Sequence, residues 1–292
     1  MTDPSVTVRP INQEILDMAG SDNLIQQIIP SIGLISEATF RRGDENNKFS
    51  FRTSAQTVGR LGIFAARKGT LERAVIMLLP ESGTPDRVLI CITQGFEQAH
   101  DNLRHLNWSN PLSRPFIEFC LLKHVINRWG PQMLASRKQM ALMYIVRARG
   151  NELGPFANDG PFVREVLTRI AGLTADAFSF DTVEAFTFSS GIGEFNTFLR
   201  SIGGILNLQA VYNIDPAHGV LAGGPSGIVK RQFLSGQTSG GPRPAFEYMP
   251  VPRWENEWEY PRRETFPNPW RFNYMHNHCM PRYTLHLGIQ TS

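Results

Sequence analysis

The feature that most limits this chain is an alternation of strand-like and helix-like segments through its middle. RVLICIT (87–93) is a continuous apolar run of strand length, a pattern that implies burial on both faces of a sheet. PFIEFCLLKHVINRWG (115–130) has helical spacing, ALMYIVRA (141–148) reads as a strand, and GPFVREVLTRIAGL (160–173) as a helix. VEAFTF (183–188), EFNTFLRSIGGIL (194–206) and LQAVYNID (208–215) continue as strand, helix and strand. Such alternation predicts an α/β fold: a mostly parallel sheet with helices on both faces. In sheets of this kind functional residues gather at the carboxyl ends of the strands.

The flanks read differently. Residues 1–48 are expected to be a helical extension, because Leu24, Ile25, Ile28 and Ile29 recur at helical spacing before Pro30 interrupts them. The main domain is expected over 49–292. It opens with the strand-like FSFRTSAQTVGRLGIFAA and ERAVIMLLP, and the turn-rich PESGTPDR leads on to the next strand. Beyond Asp215, residues 219–244 are rich in Gly, Ser and Pro, and 245–275 carry Trp254, Trp258, Trp270 and Phe272 among prolines and charges. Residues 219–275 are therefore expected to form a lid or excursion, and the last strands of the sheet are not placed.

Composition narrows the function classes. A net charge of +3 over 292 residues, with the basic residues dispersed, gives no nucleic-acid footprint. Cys91, Cys120 and Cys279 are far apart and lack CxxC spacing, which argues against a zinc site and a disulfide framework. Cys91 lies in an apolar run and reads as a small buried residue. The polar opening MTDPSVTVRPINQE is unlike a signal peptide, and no apolar run is long enough to span a bilayer. The expected location is the cytoplasm.

Four stretches carry candidate chemistry. RVLICIT runs into Gln94-Gly95-Phe96-Glu97, where a polar residue, Gly and an aromatic after a strand can turn a backbone N–H into a cleft as half of an oxyanion hole. AFTFSSGIGEF (185–195) passes from strand to helix through a Ser/Gly turn, the setting in which an activated serine is displayed. Small residues are needed two positions before and after the displayed side chain. Centring on Ser189 gives the tolerable frame Thr187 to Gly191, whereas centring on Ser190 crowds the turn with Phe188 and Ile192. Centring on Gly191 gives the best steric match but supplies no nucleophile.

Asp215 directly follows LQAVYNI and precedes Pro216 and His218, so it could orient a histidine or simply initiate an Asp-Pro turn. In MHNHCMPRYTLHLGI (275–289), His276 and His278 precede a helix-like run, where a general base could sit at the top edge of the sheet. The pair has no carboxylate or cysteine at matching spacing, so no metal is expected. His100, His105 and His124 fall in a helical stretch and read as structural.

Taken together these stretches resemble the α/β-hydrolase family, over about residues 70–290. ICITQGFEQAHDN resembles its strand and oxyanion loop, with Gln94 where His is usual. FTFSSGIGEF resembles the serine-bearing elbow, LQAVYNID the strand ending in an acid, and NHCMPRYTLHLG the histidine loop. The order elbow, acid, histidine agrees with the family. The resemblance implies an ester-cleaving enzyme with Ser189 as nucleophile, His278 as base, Asp215 as its orienter, and the N–H groups of Phe96 and Ser190 as oxyanion donors. It implies a small acyl or ester-like ligand and no cofactor. Two departures stand beside it. The family register that aligns best puts Gly191 at the nucleophile position, which implies an inactive hydrolase-fold protein that binds an apolar ligand or a protein. The family's acid more often follows a later strand, so Glu255, Glu257 and Glu259 are alternative acids.

Overall fold

The structure is a computed structural model describing residues 3–11, 59–80, 82–93, 138–146, 153–174, 178–188, 191–214, 221–233 and 247–248, with Cys120, His124, Val125, Trp129, Gly130, Met133, Ser136, Leu285 and Ile289. Among these residues nine strands form one sheet in the order β1-β2-β3-β5-β4-β6-β7-β8-β9. They are β1 (Val6–Pro10), β2 (Gly59–Lys68), β3 (Leu71–Pro80), β4 (Arg87–Thr93), β5 (Met140–Ile145), β6 (Thr182–Phe188), β7 (Leu208–Ile214), β8 (Val229–Phe233) and β9 (Glu247–Tyr248). β1, β2 and β3 pair antiparallel, and β3 meets β5 antiparallel. From β5 through β4, β6, β7 and β8 to β9 every pairing is parallel.

The reason for each part lies in its side chains. β2 and β3 pair along their full length from Lys68↔Leu71 to Gly59↔Pro80, joined by a tight turn in which Gly69 has φ 60°. That left-handed value is one a side chain rarely tolerates. β5 is buried at every residue from Met140 to Ile145, as expected for a strand covered on both faces. Alternation divides the core in two. One face gathers Leu89, Cys91, Leu142, Tyr144, Phe186, Phe188, Tyr212 and Ile214 under helical residues Trp129, Met133, Leu285 and Ile289. Trp129 stands edge-on to Phe186 and Phe188, with ring centroids 5.0 and 5.8 Å apart. His124 is buried and stacks on Trp129 and on Tyr144, with ring centroids 6.4 and 6.0 Å apart.

The opposite face gathers Val88, Ile90, Met143, Val183, Ala185 and Val211 under three helices: α1 (Pro155–Asn158), α2 (Gly160–Leu173) and α3 (Ile192–Ile202). The sheet is thus mixed but mostly parallel, with helical residues on both faces. α2 buries Phe162, Val163, Val166, Leu167 and Ile170, a stripe at helical spacing. Its start is fixed by Asp159, whose Oδ1 accepts from Phe162 N at 3.0 Å while Oδ2 pairs with Lys68 Nζ of β2 at 2.5 Å. One carboxylate therefore caps a helix and ties it to the antiparallel hairpin. A Cβ on Gly160 would overlap the carbonyl oxygen of Ser201, so glycine is what lets α2 begin against the end of α3.

Three expectations are corrected. β1 lies inside the stretch read as helical: Val6, Thr7 and Val8 are β-branched or hydroxylic and pair along the edge of β2. Residues 12–50, with the apolar spacing that prompted the helical reading, lie outside the described residues. α3 stops at Ile202 instead of continuing to Leu206, because Gly203 ends it and Gly204 takes φ 74°. The range 219–275 contains β8 and β9, so part of the expected excursion belongs to the sheet.

Replacing Asp159 with alanine removes both the cap and the link to Lys68. The expected loss is about 1–2 kcal/mol, read as a lower urea midpoint with an unchanged slope.

Candidate active site at the carboxyl edge of the parallel strands

β4, β6, β7 and β8 run side by side in parallel, and their last turns of register are level. Thr93 pairs with Thr187, Thr187 with Asn213, and Asn213 with Gln232. The chain beyond each strand end consequently leaves from the same edge of the sheet. In sequence, Phe96 follows Thr93 by a short step, Ser189 and Ser190 separate Phe188 from Gly191, and Asp215 directly follows Ile214. Phe96, Ser189, Ser190, Asp215 and His278 themselves lie outside the described residues, as do Glu255, Glu257 and Glu259. The structure brings together the strands that lead to Phe96, to the serine turn and to Asp215. It describes no side chain of the expected triad.

Gly191 is the candidate that is described. It is buried at the N-cap of α3, with φ −75° and ψ 1°. Those angles belong to right-handed space open to every residue, so its backbone does not demand glycine. Residues 189–191 are all that separate β6 from α3, so the reversal from strand to helix is sharp. Apolar residues enforce it from both sides. Phe186 and Phe188 hold β6 against Trp129, while Ile192, Phe195, Phe198, Leu199 and Ile202 seat α3 on the opposite face. No side chain of Gly191 caps α3, and Glu194 lies in its first turn with Arg200 in its last, in keeping with the helix dipole. The leading N–H groups and positive end of α3 therefore face the edge at which β4, β6 and β7 finish.

A buried polar row lies one residue inside this edge. Thr187, Asn213 and Gln232 are 0%, 0% and 3% exposed, on neighbouring strands and in register. Asn213 Nδ2 donates to Gln232 Oε1 at 3.2 Å, whereas Asn213 Oδ1 finds no hydrogen-bond partner among the described residues. Sequence reading passed over this row. Its signal was a polar residue just before the last apolar residue of AFTF and of AVYNI.

A second polar group sits in the amino half of the same strands, on the other face. Glu184 is buried in β6, where Tyr212 OH donates to its Oε2 at 2.5 Å and Arg87 Nη1 pairs with Oε1 at 3.4 Å. Lys138 lies close enough to feel Glu184, Arg87 and Arg231, and its Nζ donates to the carbonyl of Ile289. Burial pulls the Lys138 ammonium below the usual lysine range; Glu184 opposes that pull, and Arg87 and Arg231 add to it. The cluster is remote from the carboxyl edge and ties β4, β6 and β7 together. Among the described residues no group of His, Cys, Asp or Glu has the makings of a metal site. Nor is any helix there long and apolar enough to cross a membrane.

No protein-family model matches the sequence, and no curated protein matches it. Solved structures of hydrolases and esterases are similar to it at low identity. An S-formylglutathione hydrolase from Agrobacterium tumefaciens is 15% identical, with a TM-score of 0.34 over 55% of this chain and 58% of that one. A cold-adapted esterase from an Arctic intertidal metagenomic library is 9% identical, with a TM-score of 0.35 over 64% and 73%. A dienelactone hydrolase from Anabaena variabilis is 10% identical, with a TM-score of 0.33 over 60% and 72%. The match covers less than two thirds of the first of these proteins.

Glu184→Ala takes the carboxylate from the Tyr212 hydroxyl and from one side of Arg87, which keeps its pair with Asp86, and is expected to cost about 1–3 kcal/mol in urea unfolding. Glu184→Gln keeps an acceptor for Tyr212 and is expected to cost less.

Proposed function

We propose that this chain is a serine hydrolase of α/β-hydrolase type, cleaving a carboxylic ester or related acyl bond. The observation that carries the reading is the sharp β6-to-α3 connection at the carboxyl edge of the sheet, flanked by the ends of β4 and β7. In this reading Ser189 Oγ attacks the acyl carbon while His278 takes its proton and Asp215 orients the imidazole and offsets its charge. Negative charge gathers on the carbonyl oxygen, which the N–H groups of Phe96 and Ser190 bind. The positive end of α3 favours the same charge. His278 then protonates the departing alcohol, and water, deprotonated by the same imidazole, releases the acid. No cofactor takes part in this sequence.

Gly191 bears on which residue is displayed. The apex of a nucleophile turn is strained. Gly191 is not: its angles are those of a helix-capping residue. This supports an apex before it and favours Ser189 over the register centred on Gly191. The competing reading, an inactive hydrolase-fold protein with glycine in place of the nucleophile, rests on small-residue spacing alone.

A fluorophosphonate probe distinguishes the two. The expected result is stoichiometric labelling of the natural chain, lost in Ser189→Ala and falling as pH drops through the histidine range near about 6.5. An unlabelled natural chain that becomes labelled on Gly191→Ser would instead establish the inactive reading.

A further inference from the structure

The polar row of Thr187, Asn213 and Gln232 lies on the face of the sheet that carries α3. Ala185 and Val211, two residues earlier on β6 and β7, belong to the core of that face, and strand alternation puts Thr187 and Asn213 on the same side. All three members of the row are buried, as are Tyr212 and Ile214 on either side of Asn213. Bulk solvent therefore does not hydrate the Asn213 amide. Its Nδ2 donates to Gln232 Oε1 across the β7–β8 pair at 3.2 Å, while Oδ1 has no hydrogen-bond partner among the described residues. Turning the two amides end for end changes nothing essential. Asn213 then presents a buried donor where it now presents a buried acceptor, and Gln232 serves only the other end of the group. One polar atom of Asn213 faces away from Gln232 in either arrangement.

On the side away from Gln232 the next member of the row is Thr187, paired in register with Asn213. Neighbouring strands stand about 4.8 Å apart. Glutamine is long enough to lean across that gap; a threonine hydroxyl, one bond from Cβ, is not. The distance left between two short polar side chains is close to the span of about 5.5 Å that one water covers between two oxygens. A hydroxyl has one donor and two acceptor positions, so Thr187 can hold a water in addition to its other interaction. We infer that one internal water molecule is built into the carboxyl end of the sheet, bound between β6 and β7 by Asn213 Oδ1 and Thr187 Oγ1. The chemistry of the site selects water. Its occupant must donate to an amide oxygen, exchange a hydrogen bond with a hydroxyl and fit a gap of one strand spacing. A charged donor would also bring an ion into an apolar core. The row then runs unbroken as Gln232, Asn213, water and Thr187, and it joins three strands through side chains. The inference does not depend on the hydrolase reading.

The test uses the full chain. A crystal structure of the natural protein is expected to show a density peak at about 2.6–3.2 Å from both Asn213 Oδ1 and Thr187 Oγ1. The peak should be lost in Thr187→Val, which keeps the shape of the side chain and removes its hydroxyl. In solution, magnetisation transfer from water to the Asn213 Nδ2 hydrogens is expected in the natural chain and absent from Thr187→Val. Urea unfolding of Thr187→Val, Asn213→Leu and the double variant reads the shared molecule. Each single change is expected to lower the folding equilibrium constant by about 5-fold to 30-fold. The double variant should lose less than the product of the two by about threefold or more, because either change alone already gives up the water. An empty map between Thr187 and Asn213 overturns the inference, and so do two single effects that multiply independently. If a variant does not fold, the map of the natural chain decides alone.

Discussion

The arrangement depends on the lateral register of β4, β6, β7 and β8. These strands are covered on both faces, so each side chain has a single face on which it fits. A slip of one residue would send Phe186 and Phe188 away from Trp129 and into the face packed by α3, and would reverse every neighbour in the same way. Burial of a large apolar side chain is worth about 1.5–3 kcal/mol, so a slip that misplaces several of them is heavily disfavoured. Glu184 adds a directional constraint to this general one. Its two oxygens are met by Arg87 from β4 and Tyr212 from β7, one strand to either side of its own. Apolar burial decides which face a residue takes; the charge pair and the phenol decide how far along the strands the match is made.

Much of this order is legible in the chain. RVLICIT spans β4, and GPFVREVLTRIAGL spans α2 with the same bounds as the helix. In both, the pattern is dense enough to leave no rival: one is an unbroken apolar run, the other a stripe at helical spacing that starts after a capping Asp. Where the signal is short or diluted, reading fails for a physical reason. β1 is five residues at the sheet edge, three of them exposed, and it needs β2 to exist at all. β8 carries Lys230, Arg231 and Gln232, so its composition looks like a surface loop. Yet Arg231 and Gln232 are buried beside Tyr212 and Asn213. A strand that buries polar groups through its neighbours cannot be seen without those neighbours.

The site is legible to a different depth. That the chain turns sharply between VEAFTF and the next helix follows from the Ser/Gly cluster and the change of period, and the strand ends around it follow from alternation. Which residue the turn displays does not. Three registers of SSGIG differ only in backbone angles, and angles are a property of the folded turn, not of composition. Gly191 illustrates this. Its identity suggests a conformation that only glycine can reach, but its φ and ψ are ordinary. The polar row of Thr187, Asn213 and Gln232 was equally hidden, because each residue is a lone interruption in an apolar strand until the register aligns them.

The two ends of these strands handle buried polarity in opposite ways. At the amino half the carboxylate of Glu184 is met by a guanidinium and a hydroxyl, an arrangement suited to holding strands in place. At the carboxyl half the row ends in an amide oxygen, Asn213 Oδ1, with no hydrogen bond among the described residues, next to the point where β7 gives way to Asp215. The amide of Asn213 is joined to Gln232 across the β7–β8 pair, so this half of the sheet ties its strands side chain to side chain as well as through the backbone.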